Sequence, residues 1–410
     1  MIDLLIFVTV FLFFGQLVVY FFVKANKYKK NREVFTLALL LRIFLTWFYY
    51  YRTLTFGGDA MMYYTYAQEK GLINLPDIFN VNATEFTSIL ASIFYQPVSL
   101  FPNSYLMLYI PFSLLGFIGS LLLYRILNSL MVSKPKLNSL LAFFLPNIIF
   151  WTCNIGKDSI IYFAIVSMIS VIILNKNKKF ELRSLLNIVV SGALIYFIRP
   201  HILIVLVLGL ILGSLFAKNN FSIRNIVIFL TLFFILISVS GKMLSIINIK
   251  VDSEEDIPSY YEESVEQIER RASYYEEREY SMKREGPLSI PLAPIYGVIW
   301  LCIPFFWQAQ HFNHIFGVFD GFVYQYFLLY IFIHWRAVIR NKILPYKYGW
   351  VVYVMIISSL FGMFQLNFGL AVRQKIMVAP VVIILFAIVK YNTSNKKSIK
   401  TDLTEKNYYE

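Results

Sequence analysis

Apolar runs separated by short basic breaks recur along almost the whole chain. They lie near 4–23, 35–51, 104–124, 137–153, 159–174, 184–198, 202–217, 225–241, 291–307, 317–334, 349–365 and 376–390. A helix needs about 17–25 mostly apolar residues to cross a bilayer, and most of these runs approach or reach that length. Lipid offers no partner for free backbone groups, so the pattern predicts an all-α protein, a polytopic transmembrane helical bundle.

The breaks set the topology. "KANKYKKNR", "YRILNSLMVSKPK", "NKNKKFELR" and "AKNNFSIR" follow the first, third, fifth and seventh runs. Loops rich in Lys and Arg stay cytoplasmic. Residues 52–103, 154–158, 199–201 and 242–290 then fall outside. Alternation fails once, because "WRAVIRNKILPYKYG" and the Lys-rich tail both read as cytoplasmic. The run 291–307, with Pro291, Pro294 and Pro304, is therefore expected to dip in and return, which lipid tolerates only where protein or a water-filled cavity covers the backbone. The expected count is about 11 crossings plus one re-entrant segment, N-terminus outside and C-terminus cytoplasmic, in a plasma (inner) membrane. The first run lacks a basic leader and a small-residue cleavage site, so it reads as a retained span.

Four regions follow. Residues 1–241 form an N-terminal membrane region carrying the external loop 52–103, and 242–290 an external acidic helical loop. Residues 291–390 form a C-terminal membrane region, and 391–410 a cytoplasmic tail. Within the first external loop, 60–70 and 84–95 read as short helices. The second sets Phe86, Ile89, Leu90 and Ile93 at helical spacing, as an amphipathic helix lying in the interface would. In the acidic loop, Val265, Ile268, Ala272 and Tyr275 form an apolar stripe and Glu266 pairs with Arg270 at i,i+4, as in a helix packed like a lid.

Composition agrees: 58% of the 410 residues are hydrophobic, and mean hydropathy is +0.63. The formal charge of +13 resides in loops between spans, and half of the 24 carboxylates lie between Lys242 and Glu285. That distribution is a topology signal and argues against nucleic acid as a partner. Cys153 and Cys302 form no metal-type or redox spacing.

Polar residues at the external ends of spans carry the candidate chemistry, because charge there needs a partner or a task. In "TFGGDAMMYYTYAQEKG", Asp59 is either the cap of a helix turned by Gly57 and Gly58 or a general base, and Tyr63, Tyr66 and Lys70 share its face. "WTCNIGKDS" offers Lys157 and Asp158 in a tight turn. It lacks the upstream glycine and Ser/Thr of a phosphate-binding P-loop, so it is either a capped hairpin or a lysine facing an anionic headgroup. In "YFIRPHILIV", Arg199 and His201 flank Pro200 at a helix start, where anions are favoured, or serve as interface anchors. "NFGLAVRQKIMVAP" puts Arg373, Gln374 and Lys375 outside, against the positive-inside trend, and an anionic ligand would account for them. "FFWQAQHFNH" adds Trp307, Gln308, Gln310, His311 and His314. The two histidines have no adjacent carboxylate, and no metal site is assigned. Asp252, Glu254, Glu255 and Asp256 read as a solvated acidic loop rather than a cation site.

"GGDAMMYY", "GKDS", "RPH", "PFFW" and "NFGLAVRQK" together resemble, in layout over the whole chain, bacterial integral-membrane glycosyltransferases of the GT-C type. They also resemble the related polymerases of oligosaccharide repeat units (the Wzy and EpsG group). The resemblance implies glycosyl transfer from an undecaprenyl phosphate- or diphosphate-linked saccharide to a saccharide acceptor in surface polysaccharide assembly at the cell envelope. Asp59 would be the catalytic base, and Arg199 and Arg373 the phosphate ligands. The paired acid of several such families is missing, since residues 59–61 read Asp-Ala-Met, which implies a site with no metal or other cofactor. Chemistry extends the cation set to Lys157, His201 and Lys375, with Asp158, Tyr63, Trp307, Gln308 and Gln374 as further candidates. Two other readings remain open beside repeat-unit polymerisation: a single-sugar transferase, and a transporter or flippase of an anionic lipid-linked glycan. A non-catalytic membrane scaffold whose external acidic helix binds a partner is a further class.

The topology is testable with a reporter active only outside the cytoplasm. In a bacterial host, fusion after residue 270 is expected to be active and fusion after residue 342 silent. The reverse pattern would overturn the assignment.

Overall fold

The computed structural model describes residues 2–26, 28, 31–71, 81–131, 135–175, 181–216, 289–308, 312–341, 344–364 and 368–406. The expected span 225–241 and the acidic loop, with its lid helix and Asp252, Glu254, Glu255 and Asp256, lie outside them, as do Gln310 and His311. Among the described residues the protein is built of helices and has no strand.

Ten helices occupy the first half: α1 (Ile2–Asn26), α2 (Arg32–Phe56), α3 (Asp59–Lys70), α4 (Ala83–Val98), α5 (Ser104–Leu130), α6 (Pro135–Phe143), α7 (Pro146–Trp151), α8 (Lys157–Leu174), α9 (Leu182–Ile198) and α10 (Pro200–Phe216). The second half holds α11 (Ser289–Cys302), α12 (Phe312–Ile333), α13 (Trp335–Arg340), α14 (Lys347–Phe364), α15 (Phe368–Gln374) and α16 (Ala379–Lys406). Four of these, α1, α2, α5 and α8, are long and apolar enough to cross a membrane. A fifth span exists if Ala371–Met377 and Ala379–Thr393, which meet at 65°, are one broken crossing. Five shorter apolar segments accompany them, within α9, α10, α11, α12 and α14.

Two segments differ from their sequence reading. The run 137–153 is broken into α6 and α7. Pro146 has no N–H for the helical ladder, so it opens a new helix instead of continuing the old one. The segment "NFGLAVRQK" was expected as a loop, yet α15 and a 3-10 turn over Lys375–Met377 lead it directly into α16. The run 291–307 is a helix to Cys302 followed by an extended stretch and a short 3-10 turn at Phe306–Gln308.

Helix α5 is the axis of the N-terminal half, packing on α8, α6, α2 and α4. Polar side chains tie it to α2, the kind of interhelical bonding that membrane bundles use in place of a hydrophobic drive. Thr46 Oγ1 lies 2.9 Å from Ser113 Oγ, and the Tyr105 hydroxyl donates to Thr53 Oγ1 at 3.1 Å. In the C-terminal half, α14 packs between α10 and α11. Helix α4 does not rest on a membrane surface alone: Phe86 and Ile89 are buried, and Phe86 stacks on Phe197 of α9 at 4.7 Å. Its start is set by a capping box in which Asn82 and Glu85 satisfy each other's backbone amides.

One buried cation fixes the N-terminal half. Arg42 of α2 is 2% exposed, and among the described residues it faces no carboxylate. Its Nη1 donates to the carbonyls of Ser113 and Thr152 at 2.9 and 3.1 Å, and its Nη2 to Thr152 Oγ1 at 2.8 Å. Its guanidinium thus joins α5 to the turn between α7 and α8. Gly116 makes room for this contact, since a Cβ there would stand 2.6 Å from Arg42 Nη1 and 2.7 Å from the Thr152 carbonyl.

Gly116→Ala is therefore expected to destabilise the protein by about 1–3 kcal/mol through overpacking. Thermal unfolding of the detergent-solubilised chain checks this; an unchanged midpoint would show that the Arg42 joint is slack.

Candidate functional site

Four sequence segments far apart in the chain meet around one guanidinium. Arg373, in the last turn of α15, bonds through Nε to Asp158 in the first turn of α8. Its Nη1 lies 3.2 Å from Asp59 Oδ2, on the first residue of α3. Lys157 stands beside Asp158 and donates from Nζ to Thr84 Oγ1 of α4 at 2.8 Å. Arg199, between α9 and α10, lies within electrostatic reach of Asp158, Arg373 and Tyr63. Asp59, Lys157, Asp158, Arg199, Arg373 and Tyr63 thus form one cluster.

Local structure explains each position. Gly57 and Gly58 turn the chain between α2 and α3 at φ 69° and 136°, values that side chains rarely adopt. Asp59 then opens α3, but its side chain does not cap the helix. The helix-cap reading of Asp59 is thereby set aside: its carboxylate is spent on Arg373. Gly156, at φ 159°, precedes Lys157 and is the N-cap of α8. A Cβ on it would lie 3.7 Å from the Tyr63 ring and 3.9 Å from Arg373 Nη2, so this turn lies directly against the cluster. Ser159 Oγ donates to the Asn154 carbonyl at 2.8 Å, and Arg42 holds Thr152 from behind.

Burial distinguishes the two carboxylates. The Asp158 side chain is 2% exposed and that of Asp59 is 52% exposed, while Arg373 is 19% exposed. Among the described residues, Asp158 Oδ1 and Arg199 Nε are buried without a hydrogen-bond partner. Burial pushes the Arg199 guanidinium pKa down, with Asp158 opposing that shift and Arg373 reinforcing it. Burial, and then the charge of Asp59, raises the Tyr63 phenol, which stays a neutral hydroxyl.

Three helix N-termini, those of α3, α8 and α10, open at or beside this cluster, and each brings partial positive charge. Arg373 sits conversely in the last turn of α15, where the helix dipole favours a cation. Among the described residues the cluster therefore combines three cations and three positive helix ends with two carboxylates.

Other candidates lie elsewhere. Lys375 does not join the cluster: it is fully buried, donates to the Ile303 carbonyl, lies 3.9 Å from Asp320 Oδ2 and sits over the Tyr324 ring. Its expected role as an external phosphate ligand is corrected by that burial: the 3-10 turn after Gln374 points it into the bundle, where Asp320 is its counter-charge. His201 meets the Phe361 ring at 6.0 Å on the α14 side. Gln374 is buried with Oε1 unpartnered. Trp307 is 64% exposed and stacks on Phe305 at 4.7 Å, and Gln308 closes that 3-10 turn. His314 lies in α12. Among the described residues no group of three metal-type ligands occurs.

Sequence reasoning overlooked Trp151, whose ring lies 5.9 Å from the Arg373 guanidinium, and Thr84, the partner of Lys157. Trp151 directly precedes the polar turn, and that adjacency was its available signal. No known family model, curated protein or solved structure matches the chain.

The unequal burial of the two carboxylates has a measurable consequence. Asp158→Ala leaves Arg373 without its buried counter-charge and is expected to destabilise the protein by about 3–5 kcal/mol. Asp59→Ala breaks an exposed pair and is expected to lose less than about 1 kcal/mol. Equal shifts in thermal midpoint would contradict the asymmetry.

Proposed function

We propose that the chain is a membrane glycosyltransferase that takes a saccharide from a polyprenyl phosphate or diphosphate carrier and joins it to a saccharide acceptor. In this reading it works by repeat-unit polymerisation during surface polysaccharide assembly. The observation that carries the proposal is the convergence of Asp59, Lys157, Arg199 and Arg373 from four distant segments onto one site. A cation-rich site bordered by an exposed carboxylate suits the two demands of this reaction. The acceptor hydroxyl needs a base, and the leaving phosphate needs cations for its growing charge.

Asp59 is the base: it takes the acceptor proton as the acceptor oxygen bonds to the anomeric carbon and the bond from that carbon to the phosphate oxygen breaks. Arg373, Arg199 and Lys157 hold the departing phosphate. Asp158 orients Arg373, and Tyr63 supplies a neutral hydroxyl at the wall of the site. The helix bundle supports a membrane location, where a lipid carrier reaches the site laterally. The full topology in this reading has about 11 crossings and one re-entrant segment, with the site on the external side of a plasma membrane.

The buried Asp320–Lys375 pair favours the transporter reading, since ionisable pairs within spans often serve coupled transport. It lies apart from the Asp59 cluster, however, and its Nζ is engaged by the Ile303 carbonyl, as in a structural joint.

The test is genetic complementation of a strain lacking the chain. The wild-type chain is expected to restore the polysaccharide ladder, and Asp59→Asn at normal membrane level to lose about 10²–10⁴-fold of the activity, the usual worth of a general base. A ladder collapsing to a single repeat selects polymerase over single-sugar transferase. Full restoration by Asp59→Asn would remove Asp59 from catalysis and sink the proposal in this form.

A further inference from the structure

Arg373 holds two carboxylates of opposite character, and only one of them is replaceable. Asp158 sits on Nε, is almost fully buried and is carried by a turn that Arg42 clamps through Thr152. Asp59 sits on Nη1, is half exposed, and follows Gly57 and Gly58, where an added Cβ would meet no described atom within 4 Å. A carboxylate and a phosphate oxygen make the same charge-assisted bond to a guanidinium. Nearby, Arg199 Nε is buried and has no hydrogen-bond partner among the described residues.

Resting on the glycosyl-transfer reading, we propose that Asp59 occupies, on Nη1 of Arg373, the subsite of the ligand's phosphate group, and that ligand binding takes this position from Asp59. The base is then released by the arrival of the donor. Before that, its lone pairs are committed to Arg373 and the cluster is closer to neutral. Once the phosphate displaces it, Asp59 faces the acceptor while Arg373, Arg199 and Lys157 face the phosphate. Asp158 stays in place and is the positioning residue that keeps Arg373 oriented throughout. Two like-charged groups competing for one guanidinium make Asp59 an obstacle to binding as well as the agent of proton removal, so the two properties separate on mutation.

The experiment titrates farnesyl diphosphate, and in a second arm inorganic pyrophosphate, into the full chain in lipid nanodiscs by calorimetry. Four proteins are compared: wild type, Asp59→Asn, Asp158→Asn and Arg373→Gln. Asp59→Asn is expected to bind farnesyl diphosphate about two- to fivefold more tightly than wild type, the scale of an exposed ion pair removed from competition. Asp158→Asn is expected to bind more weakly although it too loses a negative charge, because Arg373 loses its orientation. If both aspartate variants tighten alike, net charge alone governs binding and the subsite assignment is overturned. If Asp59→Asn binds equally or more weakly while Arg373→Gln abolishes binding, the anion site stands and the displacement falls. If Arg373→Gln binds like wild type, or no protein binds either probe, the anion-site reading falls and the displacement with it. Tightening in the farnesyl arm alone identifies a lipid-linked phosphate as the ligand, and tightening in both arms a phosphate recognised without its lipid.

Discussion

A guanidinium held between two carboxylates, at a place where three helices begin, is the contact on which the polar end of this bundle depends. In an apolar protein a charge is tolerated only when its neighbours satisfy it, and Arg373 is satisfied by residues 215 and 314 positions away in the chain. Those two bonds tie α3 and α8 to α15, and so join the N-terminal and C-terminal halves. Long sequence separation is the point: each partner alone is an isolated charge at the end of a helix, and only the closed fold makes them a site.

The same constraint is met in two other ways inside the molecule. Arg42 meets it with backbone carbonyls and a threonine hydroxyl, because α5 and the turn before α8 approach closely at Gly116. Lys375 meets it with Asp320, the Ile303 carbonyl and the face of Tyr324. Asn147 lies against both Asp320 and Tyr324 there, so the buried cation sits in a small polar island within the bundle. Arg42 stabilises the turn that carries Lys157 and Asp158, and Lys375 stabilises the bend that carries Arg373. The buried cations Arg42 and Lys375 thus brace the segments on which the Arg373 cluster is assembled.

Much of this was legible in the sequence, for physical reasons that differ by element. Long all-apolar runs have only one solution in lipid, so α1, α2, α5 and α8 follow from hydropathy. The helices expected over 60–70 and 84–95 are present as α3 and α4, the second announced by its apolar spacing. The break of 137–153 falls at Pro146, a residue whose missing N–H is plain in the sequence, while the apolar residues around it read as one continuous span. Arg373 and Lys375 looked equivalent in a supposed loop; the helical turn beneath them sends one to Asp158 and the other to Asp320, and nothing in a linear reading separates two cations two residues apart. Likewise, Asp59 before a helical stretch reads as a cap, and only the position of Arg373 shows that its carboxylate is used elsewhere.

The placement of the cluster at helix ends has a chemical consequence of its own. A helix terminus is where backbone groups lack partners within the helix, so charged side chains gather there for structural reasons before any function is considered. What separates a structural terminus from a working site is surplus. At the starts of α3, α8 and α10 the positive helix ends are already matched in part by Asp59 and Asp158, yet the protein adds Arg199, Lys157 and Arg373 to the same place. A fold seeking only its own stability would have balanced those charges or kept them apart, since each added cation must be desolvated beside the others. In the proposed reading, this surplus among the described residues is what the phosphate of a ligand would meet. Asp59 stands on the exposed side of Arg373 and Asp158 on the buried side, so in that reading an anion would approach past Asp59.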